Sequence, residues 1–260
     1  MAGFGAQSST TSGISAERPR ASKRSAKARP GDHRLLSQNL FAELARVAEM
    51  SAIERRLRDF GFRCIAGTDE VGRGCLAGPV VAACVVLEND PTLFGVDDSK
   101  RLTPEQRLSA CRLIMTKARA VAVGVVEPQT IDRINILQAS KLAMAEAVEA
   151  LAVRPDVLLL DAVTLEQLEM PQVPLINGDR RSISIAAASI VAKVYRDQLM
   201  ESYHEQYPVY DFRHNRGYAT ESHQAALKTY GPSPIHRTTF EGVQEPMLLF
   251  GHEQDGGSTR

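Results

Sequence analysis

Between residues 34 and 60 apolar side chains recur at helical spacing (Leu36, Leu40, Phe41, Leu44, Val47, Ile53, Leu57) with charges between them. That pattern predicts one amphipathic helix or two, stopped by Gly61. Two apolar runs follow, Arg63 to Thr68 and Val80 to Leu87, joined by a glycine-rich turn. A connection that short fits antiparallel strands. Thr103-Pro104-Glu105 has the chemistry of a helix start, with Thr as cap and Pro in the first position, and the helix should run to about Lys117. Ala120 to Val126 reads as a third strand, Pro128 to Asp132 as a short helix and Ile136 to Leu151 as a longer one. Val157 to Asp161 is a continuous apolar run ending in a carboxylate, as expected of a parallel strand covered on both faces. Val173 to Ile176 is a fifth strand. Ile183 to about Glu205 is a long helix whose Ala186, Ala187 and Ala188 permit close approach to a sheet. A polar aromatic stretch, Tyr207 to Tyr218, precedes a last helix from about Glu221 to Tyr230, and Pro232 and Pro234 end the regular part. The order predicts a mixed α/β sheet, antiparallel first and parallel later, without internal repeats.

Composition narrows this only a little. At 260 residues and 43% hydrophobic, the chain can bury one substantial core, so one domain with appendages is expected. Formal charge is zero, with 31 basic and 31 acidic residues. Residues 1 to 30 hold six basic residues and one acid, leaving 25 and 30 for the rest. A nucleic-acid binder is usually more basic, so composition alone does not ask for one. The basic start resembles a transit peptide in composition but lacks bulky apolar residues at helical spacing, which favours a disordered basic tail over residues 1 to 33. Cys64, Cys75, Cys84 and Cys111 form no C-x-x-C, which argues against zinc and for reduced, buried thiols in a cytoplasmic protein. No run is long and apolar enough for a membrane helix.

The chemistry gathers around residues 65 to 80, where an apolar approach ends in Asp69-Glu70 and a glycine-bracketed arginine, Gly72-Arg73-Gly74, follows. Neighbouring strand residues point to opposite faces, so the two acids can share a site only where the chain leaves the strand. Paired carboxylates suit Mg²⁺ or Mn²⁺, which prefer oxygen ligands. An arginine between glycines suits phosphate. Asp161 closes the most apolar strand, and in parallel sheets the site gathers at such carboxyl ends. Asp179 sits just ahead of the long helix, in a loop that either crosses the site or is an ordinary capped turn.

The string D-E-V-G-R-G, residues 69 to 74, resembles the first motif of ribonuclease HII, the type 2 RNase H family. Asp69, Glu70, Asp161 and Asp179 match that family's four-acid set in order and approximate spacing. D-D-S-K-R, residues 97 to 101, resembles its motif near the nucleic-acid backbone, giving Ser99 and Lys100 phosphate contacts; the alternative is a solvated loop. Residues 183 to 197 resemble the helix after the fourth acid, read as packing with Lys193 and Asp197 as an i,i+4 pair. H-N-R-G-Y-A-T, residues 214 to 220, resembles the segment with the junction-sensing tyrosine, which assigns Tyr218; a core tyrosine is the alternative. His236-Arg237 resembles the end motif and receives no role.

The resemblance covers about residues 63 to 242 and implies a ribonuclease H-like five-stranded sheet with a C-terminal helical extension. With the helical segment over 34–60 ahead of it, the resemblance implies a catalytic domain over 61–206 and an extension over 207–245, and a tail over 246–260 lies outside it. The implied activity is two-metal endonuclease cleavage on the 5′ side of a ribonucleotide, in RNA–DNA hybrids or duplex DNA, leaving 3′-hydroxyl and 5′-phosphate ends. Four acids would hold two divalent cations, Mn²⁺ or Mg²⁺, while the Gly72-Arg73-Gly74 backbone bonds the 2′-hydroxyl and Tyr218 stacks on sugar or base. Such an enzyme is expected to work as a monomer in the cytoplasm.

Outside the resemblance, Gln244 to Phe250 is loosely similar to the glutamine-plus-apolar peptides that dock on sliding clamps, with an apolar tail packed on its own domain as the weightier alternative. Three rival functions fit the sequence less well. A dinucleotide binder is disfavoured because Gly72, Gly74 and Gly78 spell a fingerprint one residue too long, and no G-K-[ST] exists. A non-catalytic nucleic-acid module has no use for four convergent carboxylates. Another DNA-directed nuclease of the same fold would need no 2′-hydroxyl sensing.

Overall fold

The structure, a computed structural model, describes residues 30–88 and 93–243, with side chains from Asn39 onward. The chain divides into two units, Met1–Asn39 and Leu40–Arg260, and the sheet and cleft belong to the second. Helix α1 spans Pro30–Met50, beginning inside the stretch read as tail, and α2 spans Ala52–Asp59. The predicted helical segment is therefore two helices.

Five strands, β1 (Ile65–Val71), β2 (Val80–Leu87), β3 (Ala118–Val126), β4 (Val157–Asp161) and β5 (Gln172–Leu175), form one sheet in the order β3-β2-β1-β4-β5. The β1–β2 and β2–β3 pairs are antiparallel, and β1–β4 and β4–β5 are parallel, as the sequence predicts. β5 lies at the edge, where Pro174 costs no ladder bond inside the sheet.

Helices cover both faces. On one lies α4 (Pro128–Glu149), on the other α3 (Pro104–Lys117) and α5 (Ile183–Gln206). β2 shows the logic. Val80, Ala82, Cys84 and Val86 join one core while Val81, Ala83, Val85 and Leu87 join the other, so no position on this strand is polar. Ala186, Ala187 and Ala188 are fully buried against the sheet. Gly67 in β1 is what lets α5 come so near, because a Cβ there would overlap the Ser184 backbone. α3 opens with a capping box, Thr103 with Gln106, as its T-P-E start predicts. The two helices read between Pro128 and Leu151 form one span kinked at Asn135, whose φ of 66° interrupts it while its side chain caps the N–H groups of Leu137 and Gln138.

Beyond α5, a 3₁₀ turn at Pro208–Tyr210 and helices α6 (Phe212–Asn215) and α7 (Glu221–Tyr230) build a separate small core. Tyr210, Phe212, Leu227 and Ile235 pack there with Leu76, Ala77 and Met200, so the extension closes directly behind the glycine turn. Among the described residues no helix is long and apolar enough to cross a membrane. Cys64, Cys75 and Cys84 are buried free thiols, and Cys111 is partly exposed.

Candidate active site

β1 carries both of its acids in ladder register with β2, Asp69 opposite Ala83 and Glu70 opposite Ala82, so neither has left the strand as expected. They reach one cleft because β4 stops pairing with β1 at Thr68 and Leu160, which leaves that flank of β1 open. Asp69, Glu70 and Asp161 line a cleft of about 300 Å³. The Asp161 carboxylate accepts the Gly178 N–H at 2.8 Å, tying the end of β4 to the loop that carries Asp179. Asp179 is buried beside the cleft and meets it through Lys100, whose Nζ is 3.4 Å from its Oδ2.

Burial first, and then the charge of Glu70, raises the Asp69 carboxyl well above its ordinary value; Asp161 adds to this and a bond from Ser189 opposes it. Burial also raises Glu70, although Arg73, bonded to it at 3.1 Å, pulls the other way. Like charges crowded out of water are what a cation would relieve, and an all-oxygen donor set suits a hard divalent ion. Among the described residues no three acids, histidines or cysteines are already drawn together as a metal cage. Glu70 and Asp179 are instead engaged by Arg73 and Lys100.

The rim has its own builders. Gly72, Arg73, Gly74, Ser99, Lys100 and Tyr218, all singled out in the sequence, line the same cleft. Gly72 must be glycine, since its φ is +93° and a Cβ would strike the Arg196 side chain. Gly74 faces open space, so the fold itself makes no such demand there. Tyr218 is 42% exposed; the burial of the rest raises its hydroxyl pKa, as does the Cys75 thiol bonded to it. Ser99 is buried, its Oγ 2.9 Å from that of Ser189.

The loop of Ser99 and Lys100 is fixed by Asp98. This fully buried carboxylate accepts the Lys100 N–H at 2.9 Å and both Nε and Nη2 of Arg180 at 3.1 Å, so it locks the two loops that bring Lys100 to Asp179. Burial pulls the Lys100 ammonium down, but Asp179 and Asp98 outweigh it and its pKa is raised.

The sequence model of ribonuclease HII matches residues 66–243. The chain belongs to the ribonuclease HII family. A ribonuclease HII of Lactobacillus gasseri is 56% identical over 181 residues, covering 70% of this chain and 72% of that protein. One from Geobacter sulfurreducens is 55% identical over 192 residues, 74% of this chain and 88% of that one. Among solved structures, the PCNA:RNase HII complex from Archaeoglobus fulgidus aligns with a TM-score of 0.60 at 28% identity, over 71% of this chain and 98% of that one.

In this ribonuclease HII chain the sequence reading missed the groups behind the turn. Arg237, which it left without a role, is fully buried and donates to the carbonyls of Gly72, Arg73 and Gly78 at 2.7 to 3.0 Å. Arg196, also fully buried, donates to those of Ala77, Pro79 and Arg216. Ser189, Arg107 and Lys193 line the cleft as well. Lys193 does form the predicted pair with Asp197, at 2.6 Å, and Arg107 joins it at 3.7 Å. Nothing in the sequence marks either arginine as buried, and the carbonyls they serve are not visible there.

Proposed function

We propose that this cleft hydrolyses the phosphodiester on the 5′ side of a ribonucleotide, leaving 3′-hydroxyl and 5′-phosphate ends. The chain is a family endoribonuclease that degrades RNA in RNA–DNA hybrids. The observation that carries the finer reading is the shared cleft: three carboxylates and the groups suited to phosphate and ribose line one cavity. Asp69, Glu70, Asp161 and Asp179 would hold two divalent cations, Mg²⁺ or Mn²⁺. When bound, such ions supply an activated water and stabilise the leaving oxygen, so no side-chain nucleophile is needed.

The chain's own groups then do the positioning. Lys100, whose side chain is 78% exposed, and Ser99 hold the backbone phosphate, and Lys100 exchanges Asp179 for it. The backbone of Gly72, Arg73 and Gly74 takes the 2′-hydroxyl, and the open space over Gly74 supports a close approach there. Tyr218, at the rim, stacks on the sugar or base beside it. Reading a single 2′-hydroxyl admits lone ribonucleotides in duplex DNA, which places the enzyme in ribonucleotide removal during replication and repair. The 61–206 segment is the catalytic body, 207–245 the substrate-binding extension, and the chain acts as a monomer.

The Archaeoglobus relative bound to PCNA supports a sliding clamp as a partner. Residues 244–250, the candidate docking peptide, lie outside the described residues. Replacing Leu249 and Phe250 by Ala should abolish clamp pulldown, and an unchanged pulldown would remove the peptide from the account.

The test of the activity is a nicking assay on duplex DNA with one ribonucleotide, beside the same all-DNA duplex, in Mg²⁺, Mn²⁺ or EDTA. A metal-dependent nick 5′ of the ribonucleotide, absent from all-DNA, is expected. Cleavage of both duplexes would instead indicate a DNA-directed nuclease of this fold.

A further inference from the structure

His223 and His236 lie inside the small core of the extension, 0% and 2% exposed, with their Nε2 atoms 3.0 Å apart. Their protonation follows from their partners. His223 Nδ1 is 2.8 Å from the Tyr218 carbonyl, which can only accept, so Nδ1 carries the proton. His236 Nδ1 is 2.9 Å from the Ser233 N–H, which can only donate, so that nitrogen is bare and the proton sits on Nε2. His236 Nε2–H therefore donates to the bare Nε2 of His223. The order is unique: a second proton on either ring would set N–H against N–H. Tyr210 and Phe212 enclose the rings, at 4.8 Å from His236 and 5.4 Å from His223 between centroids.

Both ends of this chain of bonds reach the substrate rim. At one end is the main chain of Tyr218. At the other, His236 bridges Ala77 in antiparallel fashion, and its neighbour Arg237 grips the Gly72 and Arg73 carbonyls. We propose that the His223–His236 pair is a positioning strut that sets Tyr218 against the Gly72–Gly74 turn and so governs recognition of a single ribonucleotide. This rests on the reading of Tyr218 given above. The two rings touch no substrate; they act by fixing the spacing between a stacking ring and a backbone that reads the 2′-hydroxyl.

The direct measurement is long-range ¹⁵N correlation of the histidine rings in the whole protein at pH 7. Nδ1–H on His223 and Nε2–H on His236 are expected; the opposite tautomer, or a charged ring, overturns the strut. The functional measurement compares cleavage at one ribonucleotide in duplex DNA with cleavage of a continuous hybrid, which offers a ribonucleotide at every register. His236→Phe keeps the ring volume and removes the bonds to His223 and Ser233, and should lower the first about tenfold more than the second, the rate equivalent of losing the one bond that reaches Tyr218 through His223. His236→Gln places an amide N–H where Nε2–H was and should restore most of the ratio. Parallel loss on both substrates, tracking thermal stability, would reduce the pair to packing. If Tyr218→Ala lowers the ratio and His236→Phe does not, the strut alone fails; if Tyr218→Ala leaves it unchanged, the tyrosine reading fails and the strut with it.

Discussion

At the end of β1, Asp69 and Glu70 are withdrawn from water beside Asp161, and burial with like charge raises both their pKa values. Behind the glycine turn, Arg196 and Arg237 are just as buried, yet all three guanidinium nitrogens of each donate to backbone carbonyls. The floor of the cleft is relieved only in part, by Arg73 on Glu70, whereas the wall behind it is satisfied bond for bond. Unmet carboxylate charge favours a cation, and a site can hold that charge only if its frame cannot rearrange. The two behaviours are separable by mutation.

Asp69→Asn is the largest expected effect. It keeps the acceptor for the Glu70 N–H and removes the crowded charge. Cleavage should fall about 10³-fold or more, hybrid binding should persist, and the melting temperature should rise, a combination read by kinetics, filter binding and calorimetry. Full activity in that variant would take Asp69 out of the site.

Arg237→Met attacks the wall and should behave oppositely. The carbonyls of Gly72, Arg73 and Gly78 lose a donor, and denaturant unfolding should show a loss of about 3 kcal/mol or more. A wild-type unfolding midpoint would mean that the turn stands without it.

His236 gives the wall a pH signature. Burial, then His223, pulls its pKa from 6.5 to about 4 in the folded protein. The unfolded chain takes up the proton first, so stability is present above about pH 6.5 and is lost as pH falls toward about 4. His236→Phe should flatten that part of the stability curve, a difference of about 3 kcal/mol at most. An unaltered acid slope would show that another group governs it. The raised carboxyls of the floor contribute with the opposite sign, because protonation relieves them.

Lys100→Ala should be the mildest. Its exposed pair with Asp179 adds little to stability, within about 0.5 kcal/mol. Loss of one phosphate contact should lower the salt dependence of hybrid binding by about one charge. An unchanged slope on salt titration would place Lys100 off the substrate path.

The same contrast explains what could be read in the chain beforehand. The sheet order follows from apolar runs and short connections, and Asp161 was placed because it closes β4, whose other residues are all buried. Tyr218 and the glycine turn were legible as local strings. The wall was not, because its bonds join distant residues: Arg237 and Gly72 are 165 positions apart, and Glu54 of α2 receives Ser182 at the start of α5 from 128 positions away. Nothing local separates Asp98, which locks two loops, from Asp97 beside it, which pairs with Arg101 at the surface. Strand length misled in one place, since β1 continues through Asp69 and Glu70 and the flank opens because β4 ends.

The central claim is that the carboxylates at the end of β1 and β4 are left in tension for divalent cations. Thermal unfolding of the wild type and of Asp69→Asn, each with and without Mg²⁺ or Mn²⁺, tests it most directly. The account predicts that the metal raises the wild-type midpoint and brings it toward or above that of the metal-free variant, while the variant itself responds little. A wild type indifferent to both ions, or a variant that gains as much as the wild type, would contradict it.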